Sequence, residues 1–436
     1  MQRHLRRHRH RFFKKHLWKT RLVFWFGAIL VGLVAAIFAI LGEYADHFYR
    51  DHISSTTWLP FVVTPFGLVL VSWLTRNFFA GSEGSGIPQA LISLQHTGSS
   101  LSRRLLSVRV AIGKVLLTVL GLFCGASIGR EGPTVHLGAA IMYSLGRYAH
   151  LPSKVFERGL ILAGGGAGIA AAFNTPLAGI VFAIEEMARS FDRRNSSMML
   201  ISIILAGMTA IVIHQDNYNY YGSSPAEMDV KMVWVAVLIC GLLGGVLGGT
   251  FSRVLIISSK ALRPYMPNHA LKIAFICGLI VAILGYFSGG LIYGTGYIEA
   301  KQIVSCVGVS TCDADVAMSY PFLKIFATIA SYLSGIPGGI FAPSLASGAG
   351  LGSNLSMLFS AELASTIVVL GMVGYFSGVV QTPITAFIIV MEMTDNQELV
   401  LAMMATSLLA TGTSKLICNK SIYVALAENF MANLKH

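Results

Sequence analysis

Charged residues make up only 12% of the 436 residues, whereas hydrophobic residues make up 54%. Soluble domains carry about a quarter charged residues, so this composition excludes a water-soluble globular protein and predicts a polytopic helical membrane protein. The net charge of +12 raises the alternative of a nucleic-acid partner, but the basic residues lie beside apolar segments, which argues against it.

The N-terminal segment 1–21 carries nine Lys or Arg residues, four His residues and no acid. An apolar span at 22–42 follows it directly, and the positive-inside rule then predicts a cytoplasmic N-terminus. No small-residue cleavage site follows the span, so we expect the segment to be retained and not removed as a signal peptide.

Further apolar stretches recur along the chain and differ in length. They lie at about 60–73, 105–128, 159–187, 197–213, 232–257, 271–298, 321–348, 364–391 and 399–418. Several are the wrong length for one straight helix or contain Gly and Pro, which number 45 and 13 in the chain. This pattern predicts close helix packing and interrupted helices.

The distribution of charge predicts which connections face the cytoplasm. Lys and Arg gather at 102–109, 154–158, 189–194, 253–272 and 415–420, which we place inside. The loops 214–231 and 305–320 hold one Lys between them and several acids, and we place them outside. Cys306 and Cys312 share the second of these loops, where either a disulfide or two unpaired thiols would suit the compartment.

Two stretches of the chain can be aligned with each other. Residues 175–187 read TPLAGIVFAIEEM and residues 382–394 read TPITAFIIVMEMT. A Gly-x-x-x-Pro pentapeptide precedes each stretch, GREGP at 129–133 and GIFAP at 339–343. The offsets, 207 and 210 residues, are nearly equal, so the chain is predicted to consist of two related halves.

The halves are predicted at 22–213 and 232–424, with an external linker at 214–231 and a short cytoplasmic tail at 425–436. Because the N-terminus is placed inside and the linker outside, the second half begins on the opposite face and the repeats are inverted. Inverted repeats with broken helices are typical of transporters, whose binding site lies near the middle of the membrane.

Three interruptions rich in Gly and Pro, at 84–89, 129–133 and 338–343, each precede a stretch compatible with a helix. A helix N-terminus exposes unpaired N–H groups and the positive end of its dipole. Several such ends converging at the midplane would hold an anion and still let it leave, and Ser85 would add a hydroxyl donor. Each interruption alone is equally compatible with a Gly-rich turn, but three within a repeat favour a binding site.

Glu131 stands in the first turn after the second interruption, next to Arg130. An acid there can simply complement the dipole of its own helix, but an ionisable residue at membrane depth is a candidate functional residue. We hypothesise that its carboxylate occupies an anion position and leaves it on protonation, which would make Glu131 a gate.

Glu185 and Glu186 end an apolar stretch beside a cluster of arginines. Glu185 aligns with Glu392 in the repeat, which favours a structural role such as a salt bridge. Glu186 aligns with Met393 and so belongs to one half only, as a specialised role predicts. A surface salt bridge and a proton relay are both open for Glu186.

Two further residues have alternative interpretations. Lys114 lies within an apolar span, where it could snorkel, pair with an acid or add positive potential for an anion. Tyr423 would ordinarily be an interfacial aromatic residue, although its hydroxyl could instead close the inner side of an anion site.

Taken together, these residues resemble the CLC family of chloride channels and chloride/proton antiporters. The resemblance covers nearly the whole chain and rests on GSGIP (84–88), GREGP (129–133) and GIFAP (339–343), in the order typical of the family, and on AAFNTPLAGIVFAIEEM (171–187). It implies an all-α membrane fold of two inverted repeats, and a homodimer with one ion pathway per subunit.

The resemblance also implies the site residues. The implied chloride-binding residues are Ser85, Gly86, Ile87, Arg130, Glu131, Gly132, Ile340, Phe341 and Tyr423, and the implied gating and proton-transfer residues are Glu131 and Glu186. Glu186 matches the internal glutamate typical of the antiporters. Ser85 favours chloride, because nitrate-selective relatives carry Pro there, and fluoride exporters depart from GSGIP. Ser421 stands where relatives often have Pro.

We therefore expect a multi-pass transporter of the cell (inner) membrane that exchanges chloride for protons, with both termini cytoplasmic, without a cofactor or metal, and with no nucleic-acid partner. Its partners would be chloride, protons, membrane lipid and a second copy of the chain. The nearest alternative is a passive chloride channel of the same fold. An intramembrane hydrolase using Ser85 and His136 would need a nucleophile elbow that the sequence lacks, and a structural scaffold would leave the midplane motifs unused.

Overall fold

The computed structural model describes residues 15–150, 154–188, 196–214, 230–306 and 317–433. Apart from two isolated backbone bridges, the secondary structure of these residues is helical. Some predictions concern residues outside this described part of the chain. They are the predictions for the basic cluster 189–194, for the linker apart from its two ends, and for Cys312. Cys306 takes part in a disulfide bond.

The helices of the first half follow the predicted apolar stretches. They are α1 (Lys15–Phe48), α2 (Pro60–Phe78), α3 (Ile87–Gln95), α4 (Ser100–Leu105), α5 (Val108–Phe123), α6 (Glu131–Tyr148), α7 (Lys154–Phe173), α8 (Pro176–Phe182) and α9 (Ser196–His214). Short π-helical segments, Tyr49–Ser54 and Ala183–Ala188, extend α1 and α8.

The second half repeats this arrangement. Its helices are α10 (Val230–Leu262), α11 (Met266–Phe287), α12 (Tyr297–Cys306), α13 (Tyr320–Leu333), α14 (Phe341–Ser356), α15 (Ala364–Val380), α16 (Pro383–Thr394), α17 (Val400–Ile417) and α18 (Ile422–Asn433). The first residues of α12 and α14 lie 210 residues after those of α3 and α6. The helices therefore repeat with the offset that the pentapeptides show.

Among the described residues, six helical segments are long and apolar enough to cross a membrane. They are Trp18–Ser54, Pro60–Phe78, Lys231–Leu262, Met266–Phe287, Ala361–Val380 and Val400–Ile417. Others are shorter because the chain breaks within an apolar stretch: the stretch 321–348, for example, divides into α13 and α14. The predicted helical membrane protein with interrupted helices is confirmed.

The packing of α8 against α16 demonstrates that the repeats are inverted. Glu185, just after α8, accepts hydrogen bonds at the start of α16 from the N–H groups of Ile384 (3.2 Å) and Thr385 (2.6 Å). Glu392, near the end of α16, accepts them at the start of α8 from the N–H groups of Leu177 (3.2 Å) and Ala178 (2.9 Å). Each helix ends where the other begins, so these equivalent helices run antiparallel.

Two of the predicted boundaries lie within helices. Helix α1 begins at Lys15, inside the predicted basic segment. Helix α18 continues to Asn433, so most of the predicted tail 425–436 is helical. The reason is packing, because Ala427 and Phe430 form a small apolar cluster with Ile92 and Leu105 of the first half.

Close helix crossings explain part of the glycine content. Where α6 crosses α7, a Cβ atom on Gly138 would lie 2.2 Å from the carbonyl oxygen of Gly164, and one on Gly164 would lie 2.3 Å from that of Gly138. Small residues let the backbones approach, as is usual between membrane helices. The site described next depends on similar close approaches between loops.

Candidate anion site at three helix N-termini

The three predicted interruptions meet in the structure. The N–H of Gly84 donates to Ile336 O (3.1 Å) and the N–H of Gly338 donates to Gly84 O (3.2 Å). Gly129 and Gly339 exchange two backbone hydrogen bonds, of 2.7 and 2.6 Å. These bonds hold the starts of α3, α6 and α14 next to one another.

None of these helices is capped by the side chain of its own N-cap residue. The N-caps are Gly86, Arg130 and Ile340, and none makes a side-chain cap hydrogen bond with the described residues. Gly86 has φ +101°, and a Cβ atom there would lie 2.9 Å from Gly132 O, so only glycine fits where α3 meets α6. The uncapped N–H groups form an environment suited to an anion.

The carboxylate of Glu131 lies among these N–H groups. The side chain is 1% exposed, and Oε2 accepts a hydrogen bond from the N–H of Ala342 (3.3 Å) at the start of α14. Backbone N–H groups of Arg130 and Glu131 itself also reach it. One carboxylate therefore lies at the N-termini of both α6 and α14.

Two buried hydroxyls lie beside the same helix starts. Ser85 and Tyr423 are both fully buried, and the Tyr423 hydroxyl lies close to that of Ser85. Neither hydroxyl completes a hydrogen bond within the described residues. The Tyr423 ring stacks on Phe341, with ring centroids 5.7 Å apart. A buried donor without a partner is unfavourable, so both hydroxyls are well suited to a ligand.

The guanidinium of Arg130 points to the neighbouring helix α1. It donates a hydrogen bond to Ala39 O, and the residue is only 6% exposed. The side chain thus anchors α6 to α1, while the backbone of Arg130, Glu131 and Gly132 faces the other helix starts. An anion here would meet N–H dipoles more closely than a full positive charge.

Comparison with known proteins agrees with this geometry. The family described as voltage gated chloride channel matches residues 66–415. The chain belongs to this family.

Relatives and solved structures in this family are similar over nearly the whole chain. The H(+)/Cl(-) exchange transporter ClcA of Klebsiella pneumoniae is 28% identical, over 95% of this chain and 90% of the relative. A slow cyanobacterial Cl−/H+ antiporter shares the fold with a TM-score of 0.79 and 25% identity, over 96% of this chain and 99% of that one. A CLC-type fluoride/proton antiporter shares the fold with a TM-score of 0.78 and 24% identity, over 94% and 98%.

Glu186 lies in the π-helical segment after α8. It is 1% exposed and interacts electrostatically with Tyr423, as Glu131 also does. Glu186 is therefore buried and does not lie at the protein surface. Its neighbour Glu185 has a structural role, as predicted. That role is a cap on a helix of the other repeat, whereas the sequence suggests a salt bridge.

Lys114 supports the loop that carries Ser85. Its ammonium donates hydrogen bonds to Glu83 O (3.3 Å) and Gly84 O (3.0 Å). Sequence reasoning missed Gln89, whose Nε2 donates to Glu83 O (2.7 Å) and Gly81 O (3.2 Å). It also missed Lys324, although the repeat offset of 210 residues from Lys114 is a signal that could have found it.

His136 does not act on Ser85. Its Nε2 lies 2.9 Å from Leu105 O, and Ser85 Oγ has no hydrogen-bond partner among the described residues. A general base must lie within hydrogen-bond reach of its nucleophile, so this geometry argues against the hydrolase alternative.

Proposed function

We propose that this chain exchanges chloride for protons across a membrane. The observation that carries the proposal is the position of Glu131: its carboxylate accepts hydrogen bonds from the N-termini of two helices, next to two buried hydroxyls without partners in the described chain. A carboxylate that already binds as an anion competes with a free anion for the same donors. Loss of its charge on protonation removes that competition.

Chloride would bind through partial charges. Its donors would be the hydroxyls of Ser85 and Tyr423 and the backbone N–H groups of the three helix starts. These N–H groups belong to Gly86, Ile87, Arg130, Gly132, Ile340 and Phe341. The guanidinium of Arg130 is bonded to α1, so no full positive charge would trap the ion, and an ion bound by dipoles can also leave.

Glu131 would act as the gate and as a proton carrier. Ionised, its carboxylate occupies the N–H groups of α6 and α14. Protonated, it accepts hydrogen bonds more weakly, so the side chain swings away and chloride takes the vacated position. One proton taken up therefore accompanies the movement of chloride, which couples the two gradients.

Glu186 would transfer protons between Glu131 and the predicted cytoplasmic face. It is buried beside Tyr423, and the aromatic pair Tyr423–Phe341 lies close to the chloride position. Chloride would pass between Ser85 and Tyr423 while protons pass by Glu186, so the two ions would share the outer path and diverge inward. The relatives named as exchangers support coupled exchange over a passive channel.

The test is proton movement driven by chloride. Purified protein in liposomes is given a chloride gradient at equal pH, with the membrane potential clamped by potassium and valinomycin, while a trapped dye reports internal pH. We expect protons to move against their own gradient in the wild type and not in Glu131→Gln or Glu186→Gln. Glu185→Gln, one residue away, is the matched control and is expected to remain coupled.

The outcomes separate the two candidates. Chloride flux without proton movement in the wild type would make the protein a channel and leave Glu186 as a buried structural acid. Absence of any chloride flux would contradict both. Coupled movement that survives Glu186→Gln would retain exchange and reject the proposed proton path.

The assembly and orientation belong to the same proposal. The family resemblance supports a homodimer with one pathway per subunit in the inner membrane, and the positive-inside rule supports cytoplasmic termini. Chemical cross-linking in membranes should yield a dimer. A protease added to right-side-out vesicles should leave a C-terminal tag intact, and the same protease added to inside-out vesicles should remove it.

A further inference from the structure

One cavity borders Glu83, two residues before Ser85 of the candidate anion site. It encloses about 860 Å³ between the end of α2, the end of α10 and the start of α11. Its lining includes Arg76, Lys260, Arg263, Glu83, Ser72 and Met266. By the positive-inside rule these basic residues lie on the cytoplasmic side of the membrane. We refer to this space as the basic cavity.

The cations of the basic cavity have no acidic partner in the described part of the chain. Arg76, Lys260 and Arg263 take part in none of its ion pairs; Arg263 donates to a backbone carbonyl, Ala432 O (2.5 Å). Three cations therefore line one space together with a single acid, Glu83, and the excess of positive charge favours an anion there.

The acid that lines the cavity is already engaged. Glu83 Oε2 accepts a hydrogen bond from the N–H of Gly81 (2.8 Å), and Glu83 interacts electrostatically with the buried Lys114. One acid among three cations leaves the lining with two more positive than negative charges. The cavity keeps a net positive charge.

The start of α11 borders the same space. The helix begins at Met266 with Pro267 in its first turn, and its backbone is non-helical at His269. The N–H groups of Met266 and His269 already donate to Arg263 O (3.3 Å) and Tyr265 O (2.9 Å), and Pro267 has no N–H. An anion in this cavity would therefore be held by the basic side chains.

Exposed aromatic residues lie on α2 and α11, two of the helices that border the cavity, although they are not part of its lining. Trp73 and Phe78 of α2 are exposed, with rings edge to face at 5.5 Å. About two helical turns before Trp73, the exposed Phe66 of α2 meets Phe275 of α11 at the same ring distance of 5.5 Å. These residues offer an apolar surface to hydrocarbon chains on the helices that carry Arg76 and the start of α11.

We propose that the basic cavity binds the phosphodiester headgroup of an anionic phospholipid. The phosphate contacts Arg76, Lys260 and Arg263 at the start of α11, and the acyl chains lie along the aromatic residues of α2 and α11. Basic pockets between membrane helices on the cytoplasmic side bind such headgroups. The exposed aromatic residues nearby favour a lipid over a soluble phosphate, because a soluble phosphate would contact only the cations.

The test measures lipid bound to the intact protein by native mass spectrometry. Purified protein in detergent is titrated with phosphatidylglycerol or with phosphatidylcholine of the same chains. The wild type is expected to keep phosphatidylglycerol preferentially, and the variant Arg76→Gln/Lys260→Gln/Arg263→Gln to lose affinity by on the order of ten- to a hundred-fold. The control Arg104→Gln/Arg109→Gln/Lys415→Gln removes three other exposed cations and is expected to bind like the wild type.

Three results would overturn the proposal. An equal loss of lipid affinity in the control variant would mean that general surface charge explains the binding. The absence of a preference for phosphatidylglycerol in the wild type would mean the same. Displacement of the lipid by glycerol phosphate at equal concentration would make a soluble phosphate the occupant. The measurement involves no transport, so its failure is independent of whether the protein exchanges chloride for protons.

Discussion

Lys114 and Lys324 lie 210 residues apart and make the same kind of contact in the two halves of the fold. Lys114 donates to the carbonyls of Glu83 and Gly84, and Lys324 donates to those of Ile292 (2.8 Å), Tyr293 (3.4 Å) and Gly294 (2.9 Å). Both lysines are fully buried. Each lysine therefore holds a Gly-x-Gly loop at the start of a helix.

The two loops differ in what lies against them. Gly84 precedes Ser85 at the candidate anion site, whereas the equivalent Gly294 lies against the carboxylate of Asp46, which would be 1.9 Å from a Cβ atom at this position. Asp46 in turn pairs with Arg50 at 3.1 Å. In the second half, a carboxylate of the protein thus lies against this glycine, whereas in the first half the Tyr332 hydroxyl lies there, 3.1 Å from a Cβ atom at Gly84.

This difference predicts unequal effects of two matched substitutions. Lys114→Met removes the donor that holds the Ser85 loop, and we expect chloride affinity to fall about ten-fold, because a charged hydrogen bond contributes about 1.5–3 kcal/mol. Lys324→Met is expected to lower the thermal unfolding temperature but to leave chloride affinity near that of the wild type. Calorimetric chloride titration and thermal unfolding in detergent measure both. Equal loss of chloride affinity in the two variants would contradict the assignment.

The comparison of sequence and structure shows which contacts a single sequence can predict. GSGIP, GREGP and GIFAP were predicted to begin helices that converge, and the structure confirms this because glycine and proline act on the local backbone. The contact between Glu185 and Thr385 was not predictable, since the two residues lie 200 apart and no local pattern names the partner. Helix α18 was missed for the same reason, because its apolar face packs against Ile92 of the other half.

The reciprocal caps formed by Glu185 and Glu392 predict a loss of stability without a loss of coupling. Replacing either by Ala leaves two N–H groups at a helix start without an acceptor, and each should destabilise the fold by about 0.5–2 kcal/mol. Thermal unfolding of Glu185→Ala, Glu392→Ala and the double variant measures this. Glu186→Ala, one residue after Glu185, is the control for the loss of a neighbouring acid. A loss of proton coupling in Glu185→Ala at unchanged stability would instead place Glu185 in the proton path.

The buried hydroxyls of Ser85 and Tyr423 predict a loss of chloride affinity on their removal. In Tyr423→Phe the stacking on Phe341 is kept and only the donor is lost, so we expect affinity to fall roughly ten-fold with little change in stability. Ser85→Ala should act similarly. Isothermal titration with chloride measures both, and Tyr375→Phe is a control, because Tyr375 is an equally buried tyrosine on α15. Unchanged chloride affinity in Tyr423→Phe would mean that the ion does not bind at this hydroxyl.

The position of the Glu131 carboxylate predicts that its removal creates room for a further anion. In Glu131→Ala the N–H of Ala342 and those at the start of α6 lose their acceptor, and an unsatisfied donor in a buried site is unfavourable by about 1–3 kcal/mol. A halide that replaces the carboxylate relieves this, so Glu131→Ala should bind at least one more halide per chain than the wild type. Glu131→Gln imitates the protonated carboxyl group, whose side chain swings away, so this variant should also bind more halide than the wild type. Anomalous scattering from crystals soaked in bromide gives the number of halide sites per chain. The same number of sites in Glu131→Ala and in the wild type would mean that the carboxylate does not occupy an anion position.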